Sequence, residues 1–242
     1  NTDFEILEED NVLQRLVERL GEIRLDFGSA PPEEFGPIFD NFLTRMYQIE
    51  GRGGGGFITP RRIVQLAVQL TDNLAESTSV HDPTVGSGGF LVKAAEQLRD
   101  DTGLHHIEKQ VTGQDINPVV AGIARINLEM HGVDGDIAVG DSLSAPQFTT
   151  GDELERFDVV LSDFPISSDW KKSELEDNPY DRFPEMKLPQ RNRADYAFIL
   201  HVLACLKTLQ QDERGGEAAL IVPEGIFFRQ YEKRYRKHLA EN

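Results

Sequence analysis

The 242-residue sequence has one cysteine, few basic residues and no long apolar run. The lone Cys205 excludes an internal disulfide and a cysteine-based metal cluster, and nothing in the sequence indicates an oxidising compartment. No stretch approaches the roughly 20 apolar residues that cross a bilayer, and the acidic amino terminus is unlike a signal peptide. We therefore expect a cytoplasmic protein with no membrane partner.

Basic residues are scarce, because 42 acidic side chains face only 25 basic ones and the formal net charge is −17. Such a surface repels nucleic acid over most of its area, so a DNA site must be a local basic region or be supplied by a partner. An acid excess with few lysines is typical of a halophile, whose salt screens the repulsion, although an acidic protein from an ordinary cell has the same composition.

Residues 1–56 have the pattern of an amino-terminal helical region ending in a glycine-rich joint. Apolar residues recur at helical spacing in two stretches, first Leu13, Leu16, Val17 and Leu20, then Phe35, Ile38, Phe39, Phe42, Leu43 and Met46. We expect the second stretch to pack against the following domain. After the joint at 51–56, Thr59 as cap and Pro60 at the first helical position predict a helix that buries Ile63, Leu66, Ala67 and Leu70.

Residues 57–242 alternate between strand and helix patterns. Strands are predicted near 78–82, 109–115, 136–140, 157–162 and 218–222, with helices near 89–101, 118–131, 194–210 and 226–240. This alternation predicts an α/β fold, a doubly wound, mostly parallel sheet with helices on both faces. Ligands bind such sheets at the carboxyl ends of the strands.

An acidic residue follows each of four successive predicted strands: Asp82, Asp115, Asp141 and Asp163. After Asp82, a glycine-rich turn at 86–89 allows the backbone to approach a ligand closely, although an ordinary strand-to-helix connection has the same composition. A carboxylate before the turn disfavours phosphate and suits a cationic or hydroxylated ligand such as S-adenosylmethionine. Asp115 is placed to accept hydrogen bonds from ribose hydroxyls, and Asp141 from the amine of a nucleoside base.

Magnesium is the competing ligand for these acids, since two or three carboxylates can hold it. The spacing of an adenosyl ligand accounts for all four positions, whereas metal spacing accounts for none in particular. We therefore predict no metal site.

Four motifs follow one another in the sequence: Phe57-Ile58-Thr59-Pro60, Asp82-Pro83-Thr84-Val85-Gly86-Ser87-Gly88-Gly89-Phe90, Gly113-Gln114-Asp115-Ile116-Asn117-Pro118 and Gly140-Asp141-Ser142-Leu143. In this order they resemble the modification subunit of type I restriction-modification systems, an N6-adenine DNA methyltransferase family. The resemblance extends from Glu33 to the end of the chain and includes the segments 194–198 and 221–225. It implies a Rossmann-like methyltransferase fold.

The resemblance also implies how S-adenosylmethionine is bound. The cofactor-binding residues would be Phe57, Thr59, Pro60, Asp82, Pro83, Gly86, Ser87, Gly88, Asp115, Ile116, Asp141 and Ser142. In this set the segment 57–60 borders the methionine part, Asp115 holds the ribose, Ile116 packs on the adenine, and Asp141 meets the adenine amine. The family often has glutamate where this chain has Asp115, and the shorter acid keeps the chemistry.

The catalytic motif departs from the family pattern. Where the family has Asn-Pro-Pro-aromatic, this chain has Asp163, Phe164, Pro165 and Ile166. The family's first side-chain oxygen and next carbonyl accept hydrogen bonds from the target amine, and its aromatic ring stacks on a flipped base. Asp163 and the Phe164 carbonyl keep the two acceptors, but Ile166 has no ring, and a lost stack costs roughly 1–3 kcal/mol.

A long irregular segment, 167–193, follows this motif and carries the predicted DNA contacts Trp170, Lys171, Lys172, Arg191 and Arg193. Basic and aromatic residues beside a target pocket suit a passing DNA strand, although a plain surface loop has the same composition.

The sequence therefore predicts methyl transfer from S-adenosylmethionine to adenine N6 in DNA, as one subunit of a hetero-oligomer. The resemblance implies a specificity subunit and a restriction subunit as partners. The alternatives are a catalytically weakened or inactive cofactor-binding subunit of a DNA-binding defence complex, and a methyltransferase acting on RNA or a protein amide. We also expect the methyltransferase domain to continue beyond Asn242, because the family's sheet has further strands.

Overall fold

The computed structural model describes residues 32–50, 58–72, 74, 79–102, 110–166, 168, 179–183 and 193–241. The helix predicted around residues 13–20 and the joint at 51–56 lie outside these ranges.

Five parallel strands form the central sheet of the described chain, and two short strands form a separate antiparallel hairpin. In chain order the strands are β1 (Ser79–Asp82), β2 (Gln110–Asp115), β3 (Asp136–Val139), β4 (Thr149–Thr150), β5 (Glu153–Leu154), β6 (Val159–Ser162) and β7 (Glu217–Leu220). The order across the sheet is β3-β2-β1-β6-β7. The chain runs from β1 through β2 to β3 at one edge, and then continues with β6 and β7 on the other side of β1. Open sheets bind ligands where the strand order reverses in this way.

Helices cover the sheet and precede it. They are α1 (Pro32–Glu50), α2 (Arg61–Gln69), α3 (Gly89–Thr102), α4 (Pro118–Met130), α5 (Asp195–Ala204) and α6 (Lys233–Glu241), with short 3₁₀ turns at Pro179–Asp181, Glu224–Phe227 and Gln230–Glu232. The predicted α/β fold class, including helices before the sheet, is confirmed. None of the helices in the described part of the chain has the length and apolar character needed to cross a membrane.

The two faces of the sheet carry separate apolar cores because side chains alternate along each strand. In the fully buried β6, Val159 and Leu161 join the core beneath α2, α3 and α4. Val160 points the other way and packs with Val202 and Cys205 near the end of α5. The three apolar residues of β6 therefore form a continuous run, as expected for a strand of a parallel sheet covered on both faces.

The predicted inward face of α2 was right for Ala67 and wrong for the other three residues. Val64, Ala67 and Val68 are buried, whereas Ile63, Leu66 and Leu70 are exposed. The predicted cap also differs, since Pro60 is the cap residue and the Thr59 hydroxyl bonds to Asp163 instead of the helix. The partner of the Thr59 hydroxyl is thus 104 positions away in the sequence, where a local capping rule cannot predict it.

The apolar stripe predicted on α1 is only partly buried. Leu43 is buried, but Ile38 and Phe42 are exposed. Gly36 brings the helix close to His131 just after α4, since a Cβ at Gly36 would lie 2.5 Å from the His131 ring. The close approach of α1 to His131 is thus made at Gly36. A pattern of apolar residues does not identify a glycine as a contact position.

Two predicted helices are shorter than their patterns. The helix predicted at 194–210 ends at Ala204, because Cys205 and Lys207 pair with the backbone of Phe157 just before β6. The helix predicted at 226–240 begins only at Lys233, after two 3₁₀ turns.

Candidate active site

A cleft of about 430 Å³ opens at the carboxyl ends of β1, β2, β3 and β6. Its walls come from the residues that follow these strands and from the segment before α2. The lining residues are Ile58, Thr59, Val64, Pro83, Thr84, Val85, Gly86, Ser87, Gly89, Phe90, Asp115, Ile116, Asn117, Val120, Gly140, Asp141, Ser142, Leu143, Asp163, Pro165, Ser168 and Phe198.

The turn between β1 and α3 forms one wall of the cleft. Gly86 and Gly88 have φ angles of 53° and 84°, in the left-handed region that side chains disfavour. A Cβ at Gly88 would also lie 2.8 Å from the Leu128 side chain of α4. From the same helix, the Asn127 amide donates to the Ser87 carbonyl at 2.8 Å. Glycine is therefore required both by the backbone conformation and by the close approach of α4.

Asp115, at the end of β2, ties the second strand to this turn. One carboxylate oxygen accepts from the Gly86 amide at 3.1 Å, and the other accepts from the Asn117 amide at 2.8 Å. Asn117 in turn caps α4 by accepting from the Val119 amide at 2.9 Å. Partial burial raises the pKa of Asp115 against the lowering effect of these two hydrogen bonds. The carboxylate is held rigidly while it still lines the cleft.

Asp82 is completely buried at the end of β1, below the residues that line the cleft. Its Oδ1 accepts from the Thr84 amide at 3.0 Å, whereas Oδ2 has no hydrogen-bond partner among the described residues. Burial raises the pKa of Asp82 well above its ordinary value, and the charges of Asp115 and Asp163 add to the rise. A buried acceptor without a donor is costly, so a functional reason for this carboxyl is expected.

The turn after β1 and the end of β2 form two walls of the cleft, and the tight turn after β3 forms the third. Asp141 Oδ1 accepts from the amides of Leu143 at 2.9 Å and Ser144 at 3.4 Å. The Ser142 hydroxyl donates to the Pro83 carbonyl, which connects this wall to the turn after β1. The three walls are thus joined to one another by hydrogen bonds.

Asp163, after β6, lies at the end of the cleft nearest α2. The Thr59 hydroxyl donates to its Oδ2 at 2.7 Å. Its Oδ1 makes no hydrogen bond to another described residue, which leaves this oxygen as the acceptor on that side of the cleft.

The rest of the predicted catalytic motif is divided between the cleft, the core and the surface. Pro165 lines the cleft. Phe164 is buried and stacks on Phe198 with ring centroids 5.2 Å apart, so its ring does not face a ligand. Ile166 is 51% exposed and lies outside the cleft lining.

Most of the residues that the sequence predicts to bind the cofactor line the cleft: Thr59, Pro83, Gly86, Ser87, Asp115, Ile116, Asp141 and Ser142. Pro60, Asp82 and Gly88 adjoin it without lining it. Phe57 and the predicted DNA contacts Trp170, Lys171, Lys172 and Arg191 lie outside the described residues. Arg193 is half-buried; burial raises the pKa of Glu232, and the charge of Arg193 is among the effects that oppose this rise.

Sequence reasoning missed the apolar part of the lining, above all Val64, Phe90, Val120 and Phe198. Each lies on a helix whose pattern predicts core packing, and each is also largely buried or half-buried. These residues differ from other core residues only because their helices lie at the carboxyl ends of the strands, next to the cleft.

The chain is similar to known methylase subunits over most of its length. The sequence model of the N-6 DNA methylase family matches residues 31–242. The chain is 30% identical over 232 residues to the type I restriction enzyme MjaIX methylase subunit of Methanocaldococcus jannaschii, with 94% of this chain and 39% of the relative covered. It is 27% identical over 194 residues to the HindI methylase subunit of Haemophilus influenzae, with 78% of this chain and 40% of the relative covered.

A solved structure has the same fold. The methyltransferase subunit of a type I restriction-modification system from Streptococcus thermophilus superposes with a TM-score of 0.73 at 28% identity, with 93% of this chain and 46% of that chain covered. The chain thus spans about two fifths of the length of the two curated relatives. Because the family model covers nearly all of the sequence, the chain belongs to the N-6 DNA methylase family.

Proposed function

We propose that this protein binds S-adenosylmethionine and transfers its methyl group to adenine N6 in DNA, as the modification subunit of a type I restriction-modification system. The observation that carries the proposal is that Asp115, Asp141 and Asp163, from three separate strand ends, line one cleft. The similarity to type I methylase subunits supports the same reaction.

The residues present fit this cofactor in size and chemistry. A cleft of about 430 Å³ is within the range of small-molecule sites. Asp115 would accept from the ribose hydroxyls, Asp141 from the adenine amine, and the exposed Ile116 would pack on the adenine face. When bound, the cofactor supplies an electrophilic methyl group on a positively charged sulfur. The carboxylates of Asp115, Asp141 and Asp163 in the lining suit a ligand that is cationic and rich in donors.

Asp163 would orient the acceptor amine. Thr59 occupies Oδ2, so Oδ1 is left to accept a hydrogen bond from the amine that receives the methyl group. The carbonyl of Phe164 would accept from the second amine hydrogen, and Pro165 keeps this backbone extended. Two acceptors fix the amine in place and direct its nitrogen lone pair towards the methyl donor.

A weakened or inactive cofactor-binding subunit is the second candidate, and one observation favours it. The Phe164 ring is turned into the core against Phe198, and the exposed residue at the family's aromatic position is Ile166. The motif therefore offers no exposed ring for a flipped base, and base binding would be weaker by roughly 1–3 kcal/mol.

DNA and a specificity subunit are the proposed partners, and a restriction subunit would join the same complex. The chain's formal net charge of −17 supports a partner that supplies much of the DNA-binding surface. Trp170, Lys171, Lys172, Arg191 and Arg193 remain the proposed local DNA contacts.

The experiment is acceptor labelling with S-adenosylmethionine tritiated at the methyl group. The purified protein, with and without its specificity subunit, is given DNA, RNA and protein together, and the products are digested and separated. Label in N6-methyladenine from DNA supports the proposal, whereas label in RNA or protein gives a different acceptor. Tight binding of the cofactor with no label in any acceptor, in the complete complex, favours the inactive subunit.

A further inference from the structure

Arg182 is a buried arginine beside the cleft that the proposed reaction does not use. Its side chain is only 3% exposed. Its guanidinium donates to the Leu143 carbonyl at 2.7 Å through Nη2 and to the Ser142 carbonyl at 3.2 Å through Nη1. Arginine is seldom buried unless its donors are satisfied, so two carbonyls on the cleft wall are specific partners for it.

Both carbonyls belong to the turn that carries Asp141. Inside the turn, Asp141 Oδ1 accepts from the Leu143 amide, and the Ala145 amide donates to the Asp141 carbonyl at 2.7 Å. On one side, the Ser142 hydroxyl donates to the Pro83 carbonyl. On the other side lies Arg182. The turn is therefore held from two directions, and the orientation of the Asp141 carboxylate is fixed. Its Oδ2 makes no hydrogen bond to a described residue.

Arg182 is itself held in place from behind. Its Nη1 lies 3.2 Å from His201 Nδ1 on α5, and because a guanidinium can only donate, this nitrogen must be the acceptor of a neutral imidazole. Burial and the nearby positive charge both lower the pKa of His201, which keeps the ring neutral. The rings of Tyr180 and Phe183 each lie 5.4 Å from the guanidinium carbon. The Arg182 guanidinium is thus held in place by His201, Tyr180 and Phe183.

The backbone that delivers Arg182 is strained. Tyr180 and Asp181 have φ angles of 67° and 49°, in the left-handed region that non-glycine residues seldom adopt. Such conformations persist only where the surroundings hold them, and they concentrate at functional sites. Burial lowers the pKa of Arg182 to about 10, and the charge of Asp141 is among the weaker effects that oppose this shift, so the two side chains also interact electrostatically.

We propose that Arg182 is a positioning residue that fixes the Asp141–Leu143 turn and thereby gives the cleft its selectivity for a nucleoside with an exocyclic amine. The inference rests on the proposed function, since it assigns Asp141 to the adenine amine. It differs from that function in making selectivity depend on a residue that does not touch the ligand.

The test compares two ligands that differ only in this amine. Dissociation constants are measured by calorimetry for S-adenosylhomocysteine and for its analogue with an unsubstituted purine base, in which a hydrogen atom replaces the amine. The unaltered protein should bind the adenosyl compound at least about tenfold more tightly, as expected for one hydrogen bond to a charged acceptor. In Arg182→Met, that preference should fall to about threefold or less.

Two further variants separate positioning from general loss of structure. Arg182→Lys keeps the charge but cannot bridge two carbonyls with a planar fork, so the preference should also fall. Arg156→Met removes an arginine of the same charge that donates to the Leu206 carbonyl at 2.9 Å, before β6 and away from the cleft, and the preference should stay intact. Thermal unfolding of each variant identifies any that fail to fold, and Arg182→Lys serves if Arg182→Met does not fold.

The outcomes are distinguishable. If the unaltered protein binds neither ligand, the proposed function fails. If it binds both equally, or if the folded Arg182 variants keep the full preference, the cofactor site stands and the role of Arg182 is overturned.

Discussion

The cofactor side and the Asp163 side of the cleft are built differently. On the cofactor side, Asp115 bonds to the turn after β1, and Ser142 bonds to Pro83 of the same turn. On the other side, Asp163 is held by a single hydrogen bond from Thr59, and Ile166 is exposed outside the lining. In the resemblance drawn from the sequence, the catalytic motif at 163–166 is also the part that differs most from the family pattern.

Under the proposed function, this difference predicts separate roles for the two sides. A cofactor pocket whose walls bond to one another is preorganised and should bind without the target. The Asp163 side has fewer fixed groups, so its contribution should appear in the transfer rate and in DNA binding. Substitutions on the two sides should therefore affect different measurements.

The largest expected effect comes from Asp163→Ala. Without the acceptor for the target amine, single-turnover methyl transfer should fall by about 10²–10³, a loss similar to that for other oriented polar groups in active sites. The dissociation constant of S-adenosylhomocysteine, measured by calorimetry, should change less than about threefold.

Thr59→Val, which removes only the hydrogen bond to Oδ2, should slow transfer by about tenfold, and Asp163→Asn should remain active. Equal losses of binding and transfer would contradict the division between the two sides.

The next effect in size is on the cofactor side. Asp115→Ala removes a charged acceptor for the ribose and releases the Gly86 amide, so the affinity for S-adenosylhomocysteine should fall by about 100-fold. Asp115→Glu is the matched control, since it keeps the carboxylate, and its affinity should stay within about tenfold of the unaltered protein. Calorimetry that finds the same affinity in Asp115→Ala would exclude this carboxylate from the ligand.

A gain is expected from Ile166→Tyr. Because Ile166 is exposed, a ring can be added there without crowding the core. Base stacking of roughly 1–3 kcal/mol should lower the KM for DNA by about tenfold, with little change in cofactor affinity. Ile166→Leu controls for a change of side chain without a ring. If the tyrosine variant behaves like the leucine variant, this position does not meet the target base.

The smallest expected effect is on stability. Burial raises the pKa of Asp82 in the folded state, so its contribution to stability is full below the unfolded pKa and is lost as pH rises through the folded pKa. At neutral pH, Asp82→Asn should therefore raise the free energy of unfolding by about 0.5–2 kcal/mol, as stabilising changes at functional sites often do. Urea titrations at pH 5 and pH 8 should show the gain mainly at pH 8, and a larger gain at pH 5 would reverse the assigned cause.

The sequence predicted those parts of the fold that depend on local pattern. The strands at 79–82, 110–115 and 136–139 lie where the alternation of strand and helix patterns predicts them, and the cap of α4 follows from Asn117 before Pro118. The convergence of the acids after four strands also follows, because parallel strands place their carboxyl ends at one edge.

The remaining features depend on contacts between distant residues. Thr59 lies 104 positions from Asp163, and Arg182 reaches the turn 40 positions before it. Phe164 is one residue from Asp163, but its burial depends on the position of Phe198 on α5. Neither hydrophobic periodicity nor composition can predict which residues so far apart in the sequence come into contact.

The most direct measurement of the central claim is a crystal structure of the protein with S-adenosylhomocysteine. In that structure the ribose hydroxyls should lie at Asp115, the adenine amine at Asp141, and the sulfur should face the end of the cleft at Asp163 and Thr59. A ligand bound elsewhere, or bound with its adenine against Asp163, would contradict it.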